Sequence, residues 1–170
     1  MPVRMVTNDD LAKVVDTSDE WIAERTGIRQ RRIAVEESAS YMAVEAAKRA
    51  MENAGIGPED LDLILVGTTS ADHCFPSAAC EVQGELGAVH AVAFDVSAAC
   101  SGFLFAMNNL QAFIQAGIYH TGLIIGVDCL SKLVDWKDRS TCVLFGDGAG
   151  AVVVQASDTG IQHSVMRSDG

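Results

Sequence analysis

The stretch Ala91-Val-Ala-Phe-Asp95-Val-Ser-Ala-Ala-Cys100-Ser-Gly102-Phe103 reads as a short buried strand that runs directly into a helix. Residues 91–95 are mostly apolar, and residues 101–116 open with small side chains and then repeat apolar ones at helical spacing. Phe103, Met107, Leu110 and Ile114 fall on one stripe of that helix, which is most simply a core face. Cys100 sits at the junction. A sulfur there lies near free backbone N–H groups and the positive end of a helix dipole, and both stabilise a thiolate. Ala98, Ala99 and Gly102 leave room beside it for a substrate. Taken alone, the residues leave two roles open for Cys100. It is a nucleophile or a structural thiol, since free cysteine is among the most buried residue types.

The same alternation continues on both sides. Leu61-Asp-Leu-Ile-Leu-Val-Gly67 and Gly122-Leu-Ile-Ile-Gly-Val127 read as strands. A helix over residues 40–54 places Ala43, Ala46, Ala47, Ala50, Met51 and Ala54 on one face, and Gly55 ends it. Pro76 opens a helix to about Leu86, at a position where its missing N–H does no harm. Thr17-Ser-Asp-Glu20 has the form of a capping box, with Thr17 as N-cap and Glu20 at the third helical position. The short helix it opens carries Trp21 and Ile22 and stops at Gly27. Cys142-Val-Leu-Phe145 and Ala151-Val-Val-Val154 flank a turn, Gly146-Asp-Gly-Ala-Gly150, as one bent strand or two paired ones. Helices alternating with apolar strands predict an α/β layer fold with a mostly parallel sheet. Residues 1–170 form one domain, with 157–170 as a polar exit segment.

Composition narrows the function. A chain of 170 residues, 49% hydrophobic, is long enough for one core and too apolar for disorder. Its net charge of −11 argues against nucleic acid, which needs clustered positive charge. Arg25, Arg29, Arg31 and Arg32 are the local exception, read as a solvated basic turn or as a site for phosphate. No apolar run is long enough to span a bilayer. Met1-Pro-Val-Arg4 has no apolar signal core, so a cytosolic location is expected. Five cysteines without a Cys-x-x-Cys pair fit free thiols in a reducing compartment.

Two further motifs carry little. The Gly146–Gly150 run lacks the Lys-Ser/Thr of a phosphate loop, and a strand rather than a helix follows it, so close backbone approach is the better reading. His73, His90, His120 and His163 have no metal-ligand spacing, and no metal or cofactor is expected. His73 is the histidine whose distance from Cys100 the fold has to decide.

Taken together, several segments resemble the β-ketoacyl-acyl-carrier-protein synthase III family, enzymes of the thiolase fold. They are Thr17-Ser-Asp-Glu-Trp-Ile22, Arg25-Thr-Gly-Ile-Arg29, Gly67-Thr-Thr-Ser70, Phe75-Pro-Ser-Ala-Ala79, Asp95-Val-Ser-Ala-Ala-Cys-Ser-Gly102 and Phe145-Gly-Asp-Gly-Ala-Gly150. The resemblance implies that Cys100 accepts an acyl group from acyl-CoA as a thioester, with its N–H in an oxyanion hole. It implies that Trp21 and Arg139 sandwich the CoA adenine and that Thr17 and Arg25 contact the nucleotide end. It implies that Phe75 crosses a homodimer interface, with the strand at residues 91–95 pairing with its twin. Malonyl-acyl-carrier protein is the implied second substrate, in a decarboxylative condensation that starts fatty-acid chains. Ketosynthases of quinolone, polyketide or long-chain ketone synthesis are the alternative within this class.

The resemblance also sets an expectation of incompleteness. The family's chain is about twice as long, and its second half supplies a His and an Asn for decarboxylation. Its first strand, expected at the centre of the order 3-2-1-4-5, aligns before Met1. Without it, the strands at 61–67 and 122–127 are expected to lose their shared neighbour. The other class of reading is therefore a non-catalytic piece, or a subunit that needs a separate C-terminal chain.

Overall fold

The computed structural model describes residues 1–161 and 163–169. Its sheet has the order β4-β3-β5-β6, built from β3 (Leu63–Gly67), β4 (Val92–Val96), β5 (Thr121–Cys129) and β6 (Asp147–Gln155). β4, β3 and β5 are parallel and β6 is antiparallel to β5. A small antiparallel pair, β1 (Met5–Thr7) and β2 (Gln30–Arg32), lies beside it. The one-turn helix α1 (Asn8–Leu11) and the helix α2 (Asp19–Thr26) lie between these two strands in the chain.

The period-two pattern of β3 builds the core on both faces of the sheet. Ile64 and Val66 point to the face covered by α3 (Ala39–Ala54) and α4 (Ala78–Leu86). Leu63 and Leu65 point to the opposite face, under α5 (Gly102–Gln115). Glycines let α5 approach closely. A Cβ on Gly122 would meet the Leu110 side chain at 2.6 Å, and one on Gly126 would touch Phe103 at 3.4 Å. The small-residue face of α3 is buried, with Ala39, Ala43 and Ala47 fully inaccessible.

Several expectations change. The strands at 61–67 and 122–127 lose nothing, because β3 pairs directly with β5, Leu63 opposite Gly122 through Gly67 opposite Gly126. No central gap exists between them. The cap of α2 is Ser18 rather than Thr17: the Ser18 hydroxyl accepts from Trp21 N–H at 3.1 Å. α4 begins at Ala78 rather than Pro76, with Ser77 as its cap. Residues 142–144 form turns instead of a strand, and Asp147-Gly-Ala-Gly150 is the first part of β6 rather than a turn. The run stays extended because its backbone is paired residue by residue with Gly126–Cys129 of β5.

Aspartates hold these elements together. Asp95 accepts from Ala78 and Ala79 N–H at the start of α4, at 2.9 and 2.8 Å. Asp72 does the same for Ala39 and Ser40 at the start of α3. Asp62 accepts from His120 and Thr121 N–H at 2.8 and 2.9 Å, and these two bonds hold its carboxyl below the ordinary aspartate range. These three carboxylates therefore satisfy backbone donors at the starts of helices and strands. Among the described residues no helix is long and apolar enough to cross a membrane.

Candidate active site

Cys100 lies in a tight turn of 3-10 helix, Ala99–Ser101, between the end of β4 and the start of α5. The turn is held by Ser101 N–H donating to Ala98 O at 3.0 Å. Ala99 has φ of 46°, a left-handed conformation uncommon for a residue with a side chain. Strain of this kind costs of order 1–3 kcal/mol and persists where the surroundings fix it. Here the fixing contact is behind the turn, where Gly102 backs onto Gly67 at the end of β3. Cys100 itself is exposed in this chain.

The thiol opens into a cavity of about 300 Å³ walled by Gly67, Gly126, Gly146, Gly148 and Gly150, with Phe103 and Asp128 also lining it. The glycines of β6 keep this wall free of side chains. Gly146 is closed in from the other side, since a Cβ there would stand 2.9 Å from Arg31 Cβ and 3.1 Å from Arg32 O. Asp128 organises the floor. Its Oδ1 accepts from Thr69 N–H, Thr69 Oγ1 and Ser70 Oγ at 2.9, 3.0 and 2.9 Å, and Ser70 Oγ accepts from Cys129 N–H at 2.7 Å. Asp147 anchors the start of β6, accepting from Ala34 N–H, Ser131 N–H and Ser131 Oγ. An accessible sulfur in a glycine-walled cavity at a helix start is suited to attack on a carbonyl whose oxygen is held by backbone N–H groups.

The second group lies on α2. Arg25 and Arg139 both place their guanidinium groups over the Trp21 ring, at 4.5 and 4.9 Å from its centroid. Arg139 also donates to Asp16 O at 2.8 Å. The expected trio therefore meets, but Arg139 rests on Trp21 itself, and a base between them requires Arg139 to lift away. Thr17 Oγ1 is buried and has no hydrogen-bond partner among the described residues. As it stands this oxygen is out of reach of a ligand, so a polar contact from Thr17 requires its side chain to turn outward. None of Thr17, Trp21, Arg25 or Arg139 lines the Cys100 cavity.

The remaining predicted residues separate. Phe75 is 85% exposed on the loop before α4, away from the cavity lining. His73 pairs with Glu81 at 2.6 Å and lines a different cavity, so it is not the base beside Cys100. The arginine run is not a basic turn: Arg29 pairs with Asp19, Arg32 donates to Val3 O, and Arg31 is buried. Among the described residues no cluster of His, Cys, Asp and Glu is arranged to hold a metal. Sequence reasoning missed Asp128 and Asp147 as anchors around the cavity. Asp147 had a signal, a lone acid in a glycine run, whereas Thr69 and Ser70, the partners of Asp128, are distant from it in the chain.

Known proteins match this chain in sequence and fold. A family model described as 3-oxoacyl-[acyl-carrier-protein (ACP)] synthase III matches residues 94–170. A β-ketoacyl-[acyl-carrier-protein] synthase III of Clostridium acetobutylicum is 53% identical over 171 residues, covering 100% of this chain and 53% of the relative. The chain thus spans about half the length of the curated relatives it matches. The crystal structure of 3-oxoacyl-[acyl-carrier-protein] synthase III from Aquifex aeolicus superposes with a TM-score of 0.92 at 55% identity, covering 94% of this chain and 52% of that one. The priming β-ketosynthase of the R1128 polyketide pathway superposes with a TM-score of 0.90 at 40% identity, covering 93% and 48%. With the thiolase-like half-fold and the cysteine turn in place, this identity along the whole chain shows that it belongs to the β-ketoacyl-acyl-carrier-protein synthase III family of acyltransferases.

Proposed function

We propose that this chain carries the acyl-loading half of a fatty-acid chain-initiating synthase, with acyl-CoA as donor and Cys100 as acceptor. The observation that carries the reading is Cys100 itself, exposed on a strained turn at the head of α5 and facing a cavity walled by glycine backbone. In the loading step Cys100 Sγ attacks the thioester carbonyl, a new C–S bond forms, and the CoA thiolate leaves and takes the proton. The CoA nucleotide stacks on Trp21 once Arg139 lifts, with Thr17 and Arg25 as its polar contacts. In the complete reaction a carbanion formed by decarboxylation of malonyl-acyl-carrier protein attacks the acyl-cysteine, giving 3-oxoacyl-carrier protein, carbon dioxide and the free thiol.

The same reading assigns a homodimer through β4. This strand is at the sheet edge, with Val92 46% exposed and Phe75 on the neighbouring loop. It also assigns a cytoplasmic setting, where the five free cysteines stay reduced. The loading step is tested by release of CoA. Mixing the protein with acetyl-CoA, removing the protein by ultrafiltration and titrating thiol in the filtrate should show one CoA released per chain. No release would contradict the reading.

A further inference from the structure

We propose that Asn8 and Arg31 are positioning residues, a buried relay that sets the stacking helix α2 against the glycine wall of the Cys100 cavity. The proposal deepens the acyl-CoA reading above and rests on it. The relay starts on α2, where Asp19 Oδ1 accepts from Asn8 Nδ2 at 2.8 Å. Asn8 Nδ2 also donates to Ile28 O at 2.7 Å, and Asn8 Oδ1 accepts from Arg31 Nη2 at 2.9 Å. Arg31 Nη2 donates onward to Val143 O at 3.0 Å. Three residues later comes Gly146, pressed against the Arg31 β-carbon on one side and lining the Cys100 cavity on the other.

Two features separate this relay from ordinary packing. Asn8 is 1% exposed, and its amide fits in one orientation only, since reversal would set N–H groups against the guanidinium and a carbonyl against the Asp19 carboxylate. Arg31 is 6% exposed, and among the described residues the partners of its guanidinium are the neutral oxygens of Asn8, Val143 and, at 3.5 Å, Val6, while its buried Nε has none. A guanidinium held this deep without a carboxylate beside it is costly. What it provides is geometry: one planar group joins α1, β2 and the 142–146 segment. Apolar contacts run parallel to it, since Ile22 of α2 packs with Cys142 and Val143. A long donor such as acyl-CoA, gripped at its nucleotide and reacting at its far end, needs that spacing held. A short thioester does not.

The experiment compares acyl loading from acetyl-CoA with loading from acetyl-N-acetylcysteamine, a thioester without the nucleotide. The readout is the ratio of the two loading efficiencies. Asn8→Leu and Asp19→Ala should each lower that ratio about 3- to 10-fold. Asp19 is partly exposed at the first turn of α2, so its variant breaks the relay without opening the core. In a Trp21→Ala background, which itself should lower the ratio, Asp19→Ala should lower it no further. The proposal is overturned if both donors fall in equal proportion in both variants, or if Trp21→Ala lowers the ratio and neither relay variant does, an outcome that leaves the nucleotide reading standing. If wild type shows no preference for acetyl-CoA and Trp21→Ala is silent, the nucleotide reading fails and the relay with it.

Discussion

Gly67 and Gly102 meet face to face, and Gly67 leaves no room for a side chain. A Cβ on Gly67 would stand 2.6 Å from Gly102 C and 2.8 Å from Phe103 N, and one on Gly102 would stand 3.2 Å from Gly67 Cα. The end of β3 thereby seats the first turn of α5, two residues beyond Cys100. Gly67→Ala should therefore act on loading as well as on stability. Overpacking against backbone costs about 1–3 kcal/mol. A thermal melt should show that loss, and the initial rate of acyl loading should fall by more than the unfolded fraction explains.

Asp62 gives a pH signature. Its carboxyl is held below the ordinary aspartate range by the N–H groups of Thr121 and His120. A carboxyl with a lowered folded pKa adds stability that is complete above the unfolded value, about 3.9, and is lost as pH falls through the folded value. Denaturant midpoints for Asp62→Asn and wild type should therefore differ most at neutral pH and converge at acid pH. A constant difference at every pH would exclude this assignment.

Trp21 and Arg139 should contribute unequally to CoA affinity. Stacking on an aromatic ring is worth about 1–3 kcal/mol per base. Calorimetry with CoA should show affinity falling about tenfold or more in Trp21→Ala. Arg139→Ala should cost less, because wild type must first give up the Arg139 contacts to Trp21 and Asp16 O.

The edge strand β4 carries the dimer assignment. Val92→Lys places a charge on an exposed edge position, a change that disfavours strand pairing. Sedimentation should show wild type as a dimer and the variant shifted towards monomer. A monomeric wild type would contradict the assignment.

The layered fold was legible because β3 and β5 are continuous apolar runs and α3 and α5 carry clear apolar stripes. Cys100 was legible because its strand-to-helix junction is local in sequence. The 146–150 run misread for a physical reason: glycines signal turns, yet Gly148 and Gly150 are strand residues held extended by pairing with β5, and Gly146 just before them is closed in by Arg31. Thr17 misread because the next residue, Ser18, caps equally well, which leaves the Thr17 hydroxyl free. The strand order rested on resemblance alone, and pairing between β3 and β5 overrode it. The Asp19–Asn8–Arg31 relay joins positions across the chain that no local pattern connects.

Site mapping of the acyl group tests the central claim most directly. Cys74 is the other exposed cysteine, so it is the internal control. After incubation with acetyl-CoA, intact mass should show one acetyl group per chain, peptide mapping should place it on Cys100, and Cys100→Ala should remain unmodified. An acetyl group found on Cys74, or equal loading of Cys100→Ala, would contradict the account.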